Sequence, residues 1–131
     1  MLCGYPGAAA YFTRFTEAPT LDSHLIPYTA REIALPAGCD QGFHFALQYE
    51  MDRAEPANES KAKLPEPPGF SGAPIWDTRF VASGCSNDWT PGQARMIGVA
   101  TRWVKENSCI IATRADKLTA FLHELGAALS S

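Results

Sequence analysis

Prolines and glycines interrupt this chain so often that a regular helix has room in one place alone. Ten of each are scattered through 131 residues. Each proline removes a backbone donor and each glycine loosens the chain, so the segments between them are short. Such punctuation favours short strands joined by turns. A chain of this length can bury one real core, and a single domain over residues 1–131 is expected.

The segments read as follows. Met1 to Cys3 and Ala10 to Phe15 flank the turn residues "GYPG", as the two strands of a hairpin or as one strand entering a loop. "REIALP" (31–36) and "FHFALQYEM" (43–51) look extended. In the second, Phe43, Phe45, Leu47 and Tyr49 alternate onto one face, and a period of two marks a half-buried strand. "DRAEPANESKAKLPEPP" (52–68) is polar and rich in proline, which predicts an exposed loop. After it, "APIW", "RFVAS", "RMIGVATRWV" and "SCIIAT" are short apolar or β-branched runs, with "NDWTPGQ" supplying a turn. Only "TRADKLTAFLHELGAAL" changes period. Leu118, Phe121, Leu122, Leu125 and Leu129 share one helical face, and Thr113 with Asp116 reads as a capping box.

Composition removes several functions. The apolar share of 46% is ordinary, and a formal charge of -3 without a basic block gives no electrostatic reason for nucleic-acid binding. No apolar run approaches the ~18 residues that span a bilayer, and the start lacks the layout of a secretory signal, so no membrane partner is expected. Cys3, Cys39, Cys85 and Cys109 are widely spaced, without a C-x-x-C pair or a histidine cluster, so no metal site is expected. Their even number permits disulfides, but free thiols buried in a core are the favoured reading. The compartment is left open.

One stretch carries chemistry. In "PEPPGFSGAPIWD" (65–77) a serine stands between two glycines, after a proline pair and before an apolar run. A serine hydroxyl is a weak nucleophile that needs a base within reach and donors aimed at the oxyanion it creates. Without a Cβ, Gly69 can turn its N–H toward a substrate, and the N–H of Ser71 can supply a second donor. The plainer reading is a Gly-Ser turn feeding a strand. A nucleophile elbow, G-x-S-x-G, needs a buried strand before the serine and a helix after it. Neither is present, since "PEPP" precedes the serine and Pro74-Ile75-Trp76 follows as an entering or edge strand.

"PPGFSGAPIWD", then "RMIGVATRW", then "CIIAT" and a terminal helix resemble, in that order, the second half of the chymotrypsin/trypsin-like serine proteases, particularly the bacterial type. "CGYPG" near the start is similar to the turn that opens the family's second barrel, so the resemblance covers nearly the whole chain. It implies an all-β fold, a single antiparallel Greek-key barrel of about six strands, with a C-terminal helix over roughly 115–129. It implies Ser71 as nucleophile and the N–H groups of Gly69 and Ser71 as the oxyanion hole. Ala100, Thr101 and Arg102 match the strand that pairs with a substrate's backbone, and Leu64 and Pro65 fall near the wall of the pocket for the residue before the scissile bond. A peptide or protein substrate and no cofactor follow from the same resemblance.

Three departures qualify that resemblance. Phe70 stands where animal members carry the aspartate that pairs with a newly cut N-terminus, so activation of that kind is not expected. No acidic residue occupies the counted pocket position, which leaves a Lys or Arg preference unsupported. The family's histidine and aspartate come from a first barrel that this sequence does not show. His24 falls in a loop, His44 on the strand face opposite Phe43 and Phe45, and His123 on the polar side of the helix, each read as a satisfied or solvated histidine. Two functions follow: the nucleophile-bearing half of a serine peptidase, inactive alone, or a free-standing binding module with a vestigial site. In either case a partner, a first barrel or a second copy of this chain, is expected over an apolar face.

Overall fold

A computed structural model describes residues 1–4, 10–13, 20–23, 26–52 and 66–130. Among the described residues nine strands and one α-helix follow in chain order: β1 (Leu2–Gly4), β2 (Ala10–Thr13), β3 (Thr20–Ser23), β4 (Ile26–Tyr28), β5 (Glu32–Ile33), β6 (His44–Gln48), β7 (Pro74–Asp77), β8 (Arg95–Val104), β9 (Cys109–Arg114) and α1 (Ala115–Leu129). Seven strands form one sheet in the order β4-β1-β7-β8-β9-β6-β5, and β2 pairs with β3 separately. Every pairing is antiparallel. The chain is therefore a mostly antiparallel sheet with a C-terminal helix, the short strands agreeing with the punctuation and the helix with the final period.

The sheet's centre is apolar on both faces. Phe45, Leu47 and Tyr49 alternate along and just beyond β6, and they join Leu2, Phe70, Ala73, Ile75, Ala100, Ile110 and Ala112 in the main core. On the other face Ala46, Cys109 and Ile111 form a smaller cluster, covered by Ile33, Leu35, Cys39 and Val104. This accounts for the unbroken run "CIIA", because a strand buried on both faces has no polar side to alternate with. Tyr28, at the end of β4, meets Tyr49 edge-on at 4.9 Å between ring centroids. The contact joins two strands far apart in sheet order, so the sheet curls around its core.

Several expectations are corrected. Of the two readings of the start, the hairpin is corrected: Leu2–Gly4 and Ala10–Thr13 do not pair with each other. β1 lies between β4 and β7, whereas β2 pairs with β3. "RFVAS" is not a strand: residues 80–84 are a series of turns, and Val81 is 81% exposed. Phe43 precedes β6 rather than lying in it, and its half-exposed ring carries the Lys117 ammonium 5.4 Å above it. Thr113 does not cap the helix. It is still paired in β9, opposite His44 and Val99, and α1 leaves the strand directly after Arg114 with no side-chain cap. The loop expected over 52–68 falls mostly outside the described residues, as do His24, Leu64 and Pro65.

The helix has the expected bounds but not a buried face. No residue of α1 is buried, and Phe121, Leu122, Leu125 and Leu129 are exposed. Among the described residues, then, the helical period records an amphipathic face without recording what covers it.

One close approach tests the packing of β8. A Cβ added at Gly98 would collide with the backbone oxygen of Thr113 and with the Phe45 ring. Neither can retreat cheaply, since one belongs to β9 and the other to the core. Gly98→Ala should therefore cost about 1–3 kcal/mol, the usual range for overpacking, read as a lower urea midpoint. An unchanged midpoint would show that the ring does not pack on this glycine.

Candidate functional site

Ser71 is presented by two consecutive turns. The Phe70 N–H donates to the Pro67 oxygen at 2.9 Å and the Ala73 N–H to the Phe70 oxygen at 2.8 Å. Gly69 (φ 103°) and Gly72 (φ 87°) hold the third position of each. An i+3 to i bond with positive φ at the third residue defines a type II turn. The sequence supplies the reason locally: Pro68 presets the second position of the first turn, and glycine alone takes the third without strain. Ser71 holds the second position of the second turn and is exposed.

The double turn is fixed at both depths. Its outer end joins the sheet through two bonds, Gly72 N–H to the Ala100 oxygen at 2.8 Å and Ala100 N–H to the Ala73 oxygen at 2.9 Å. Its inner end is Phe70, 2% exposed, whose ring lies edge-on to Tyr49 at 6.0 Å. Burial pushes the Tyr49 phenol well above its ordinary range, and the neighbouring Tyr28 adds to the shift. Tyr49 is therefore a neutral wall for Phe70.

Around the hydroxyl, donors and acceptors are arranged unequally. The flanking amides of Phe70, Gly72 and Ala73 are all engaged. Among the described residues, the amides of Gly69 and Ser71 have no acceptor. The Ser71 hydroxyl donates to the Thr101 oxygen at 3.2 Å. Thr101 can offer that oxygen because it bulges: Ala100 faces Ala112 and Arg102 faces Ile111, leaving Thr101 without a partner across the ladder. Its own hydroxyl donates to the Ile111 oxygen at 3.0 Å and pins the bulge to β9.

Beyond the bulge, β8 has an open side. Pairing with β7 ends at Pro74 opposite Val99, so among the described residues Arg102 to Val104 carry β9 on one side alone. An extended peptide can pair with such an edge. The structure thus brings Ser71, Gly69, Ala100, Thr101 and the Arg102 backbone together. The Arg102 side chain goes elsewhere, its guanidinium donating to the Cys39 sulfur at 3.1 Å. Behind that contact, Cys109 is buried and its thiol is pushed up, first by burial and then by Cys39, with Arg102 opposing. Cys39, Cys85 and Cys109 are free thiols.

The space beside Ser71 is small, a depression of about 20 Å³ lined by Phe70, Ala100, Arg102, Trp103 and Ile110 among others. That is roughly the room one water needs. Trp103 forms its wall with an indole nitrogen that is buried and has no partner. Sequence reasoning missed two roles here: Phe70 as the turn's anchor and Trp103 as the wall of the depression. The alternation of a buried aromatic with an exposed serine was the available signal for the first.

Among the described residues no histidine lines this depression. His123 is exposed on α1. His44, expected to be satisfied or solvated, has a buried Nδ1 without a partner, a correction to that expectation. It stands opposite Thr113 on β6 and on the face away from Phe45, whereas the Ser71 turn is tied to Ala100. Among the described residues no three histidine, cysteine or acidic side chains gather as a metal site, and no helix is long and apolar enough to cross a membrane.

Comparison with known proteins finds no matching family model, no matching curated protein and no matching solved structure.

The anchoring role of Phe70 separates from that of its neighbour by substitution. Phe70→Ala should cost about 3–5 kcal/mol of stability, as for a large aromatic removed from a core. Ser71→Ala, on an exposed turn, should stay within about 0.5 kcal/mol. Urea unfolding of both variants checks the pair, and equal effects would remove the distinction between anchor and presented hydroxyl.

Proposed function

We propose that this chain is the nucleophile-bearing barrel of a trypsin-like serine peptidase, with Ser71 as the residue that attacks a peptide carbonyl. The observation that carries the reading is the pair of unengaged amides, Gly69 and Ser71, on either side of a turn whose other N–H groups are all bonded. In acyl transfer such donors stabilise the oxyanion as the hydroxyl adds to the carbonyl carbon. The open side of β8 after Ala100 supports a peptide substrate held in extended form, with Thr101 and the Arg102 backbone beside it. Pro65 belongs to the same proposal as part of the pocket wall. A closed six-stranded Greek-key barrel is the architecture the proposal requires. The Tyr28–Tyr49 contact and the position of β6 beside β9 support it.

A second reading is favoured by a different observation. The Ser71 hydroxyl donates to a backbone oxygen, and among the described residues Arg102 is the one basic residue lining the depression, with its guanidinium turned to Cys39. An arginine does not accept a proton near neutral pH. A binding module that keeps the turn but has lost the chemistry would have this arrangement.

Labelling by a fluorophosphonate separates the readings. Residues 1–131 alone should react at Ser71 no faster than an ordinary serine, because among the described residues no base is placed to take the proton as the Ser71 oxygen displaces fluoride from phosphorus. In a longer protein that supplies the histidine and aspartate, labelling should rise on the order of 10³-fold or more and vanish in Ser71→Ala. A longer protein with both residues in place that stays unlabelled would establish the binding module instead.

The partner is proposed on the same footing. Phe121, Leu122, Leu125 and Leu129, exposed along α1, are the surface offered to a first barrel or a second copy. Light scattering of residues 1–131 should give a mass above that of one chain, and Leu125→Glu should return it to one chain. A monomer at high concentration would count against self-association.

A further inference from the structure

The connection between β7 and β8, residues 78–94, is longer than the roughly 12–15 residues at which unstructured loops become uncommon, and the serine site makes no use of it. It has its own framework. Phe80 and Trp89 meet edge-on at 6.0 Å, and the Trp89 indole N–H donates to the Thr78 oxygen at 2.7 Å. Backbone bonds from Ser83 to Arg79, Gly84 to Val81, Cys85 to Phe80, Trp89 to Ser86 and Ala94 to Pro91 close successive turns. Arg79 is held at φ 56°, a left-handed conformation costly for a side chain of this type.

Beside this framework lies an open concavity of about 370 Å³, a volume within the usual range for small-molecule sites. It is lined by Arg79, Ala82, Ser83, Gly92, Gln93 and Arg95. Arg79 and Arg95 both line it, and among the described residues none of its lining is acidic, although Asp77 stands across the β7–β8 ladder from Arg95. Among the described residues neither arginine has a carboxylate partner: Asp77 accepts from the Arg79 backbone N–H, not from its side chain. Two like charges that share a concavity repel each other, and a bound anion relieves this.

We propose that this concavity binds a phosphate dianion, free or as a monoester. Its charge of about -1.5 to -2 matches two arginines, where a carboxylate would match one. Each guanidinium offers a planar fork of N–H donors suited to phosphate oxygens. Gly92 and Gln93 belong to the same lining, and the Gln93 side-chain amide or the Gly92 backbone N–H can take a remaining oxygen. The site is independent of Ser71 and of the peptidase reading.

The test uses residues 1–131 at low chloride, titrated with inorganic phosphate, phenyl phosphate and acetate at matched ionic strength, followed by amide NMR. Saturable shifts should centre on Gly92 and Gln93, with phosphate species binding at least about tenfold more tightly than acetate. Tighter binding of phenyl phosphate than of inorganic phosphate identifies an esterified ligand, and equal binding identifies the free ion. Arg79→Gln and Arg95→Gln should each weaken binding about tenfold or more, as expected for loss of a charge-assisted contact. Ser71→Ala and Arg31→Gln should leave it unchanged. The Trp89 indole signal reports the loop's integrity. If Arg79→Gln loses it, Arg79→Gly, which removes the guanidinium and suits the positive φ, takes its place. Unsaturable shifts spread over all basic residues, equal affinity for acetate, or undiminished binding in the double arginine variant would overturn the proposal.

Discussion

The burial of β9 on both faces is the constraint on which the rest of this structure depends. Ile110 and Ala112 face the main core while Cys109 and Ile111 face the smaller cluster, and all four are at most 2% exposed. A strand in that position cannot slip by one residue, yet its own pattern does not forbid the slip, because both faces are apolar. Register is held instead by its neighbours. The Phe45 ring lies over Gly98, and the Thr101 hydroxyl reaches the Ile111 oxygen. Those contacts place the bulge, and the bulge places the Thr101 oxygen under Ser71.

How much of this was legible depends on how local the cause is. β8 and β9 match the runs "RMIGVATRWV" and "SCIIAT", and α1 matches the final period, because each owes its form to side chains within itself. The double turn was legible for the same reason, since Pro68, Gly69 and Gly72 dictate it in order. "RFVAS" misled because strand propensity describes side chains that fit a half-buried surface. Phe80 instead spends its ring on Trp89, a contact inside one loop that periodicity does not encode. The helix shows the complementary limit. Its apolar stripe was read correctly, but a stripe states a preference for burial and carries no information on the partner.

The candidate site divides along the same line. Gly69, Ser71 and Ala100 come together because they are linked by short-range turns and two backbone bonds. The destination of the Arg102 side chain was not legible, since Cys39 reaches it from far along the chain. The unpartnered Nδ1 of His44 was hidden for a related reason. Alternation assigned its face correctly, but that face is covered in the folded chain rather than solvated.

Phe70 bears most directly on how the site should be understood. Under the proposed peptidase reading, Phe70 holds a position that an aspartate paired with a free chain amine would otherwise occupy. Such a pair must offset the desolvation of both charges before it stabilises anything. A buried phenyl ring carries no such cost, and full burial is worth about 1.5–3 kcal/mol. The ring's contribution depends on neither pH nor a free amine. The Ser71 turn is therefore formed whenever the core is formed. Weak reactivity in this chain would then point to the proton acceptor, because the turn, its two unengaged amides and the bulged strand beneath it are already in place.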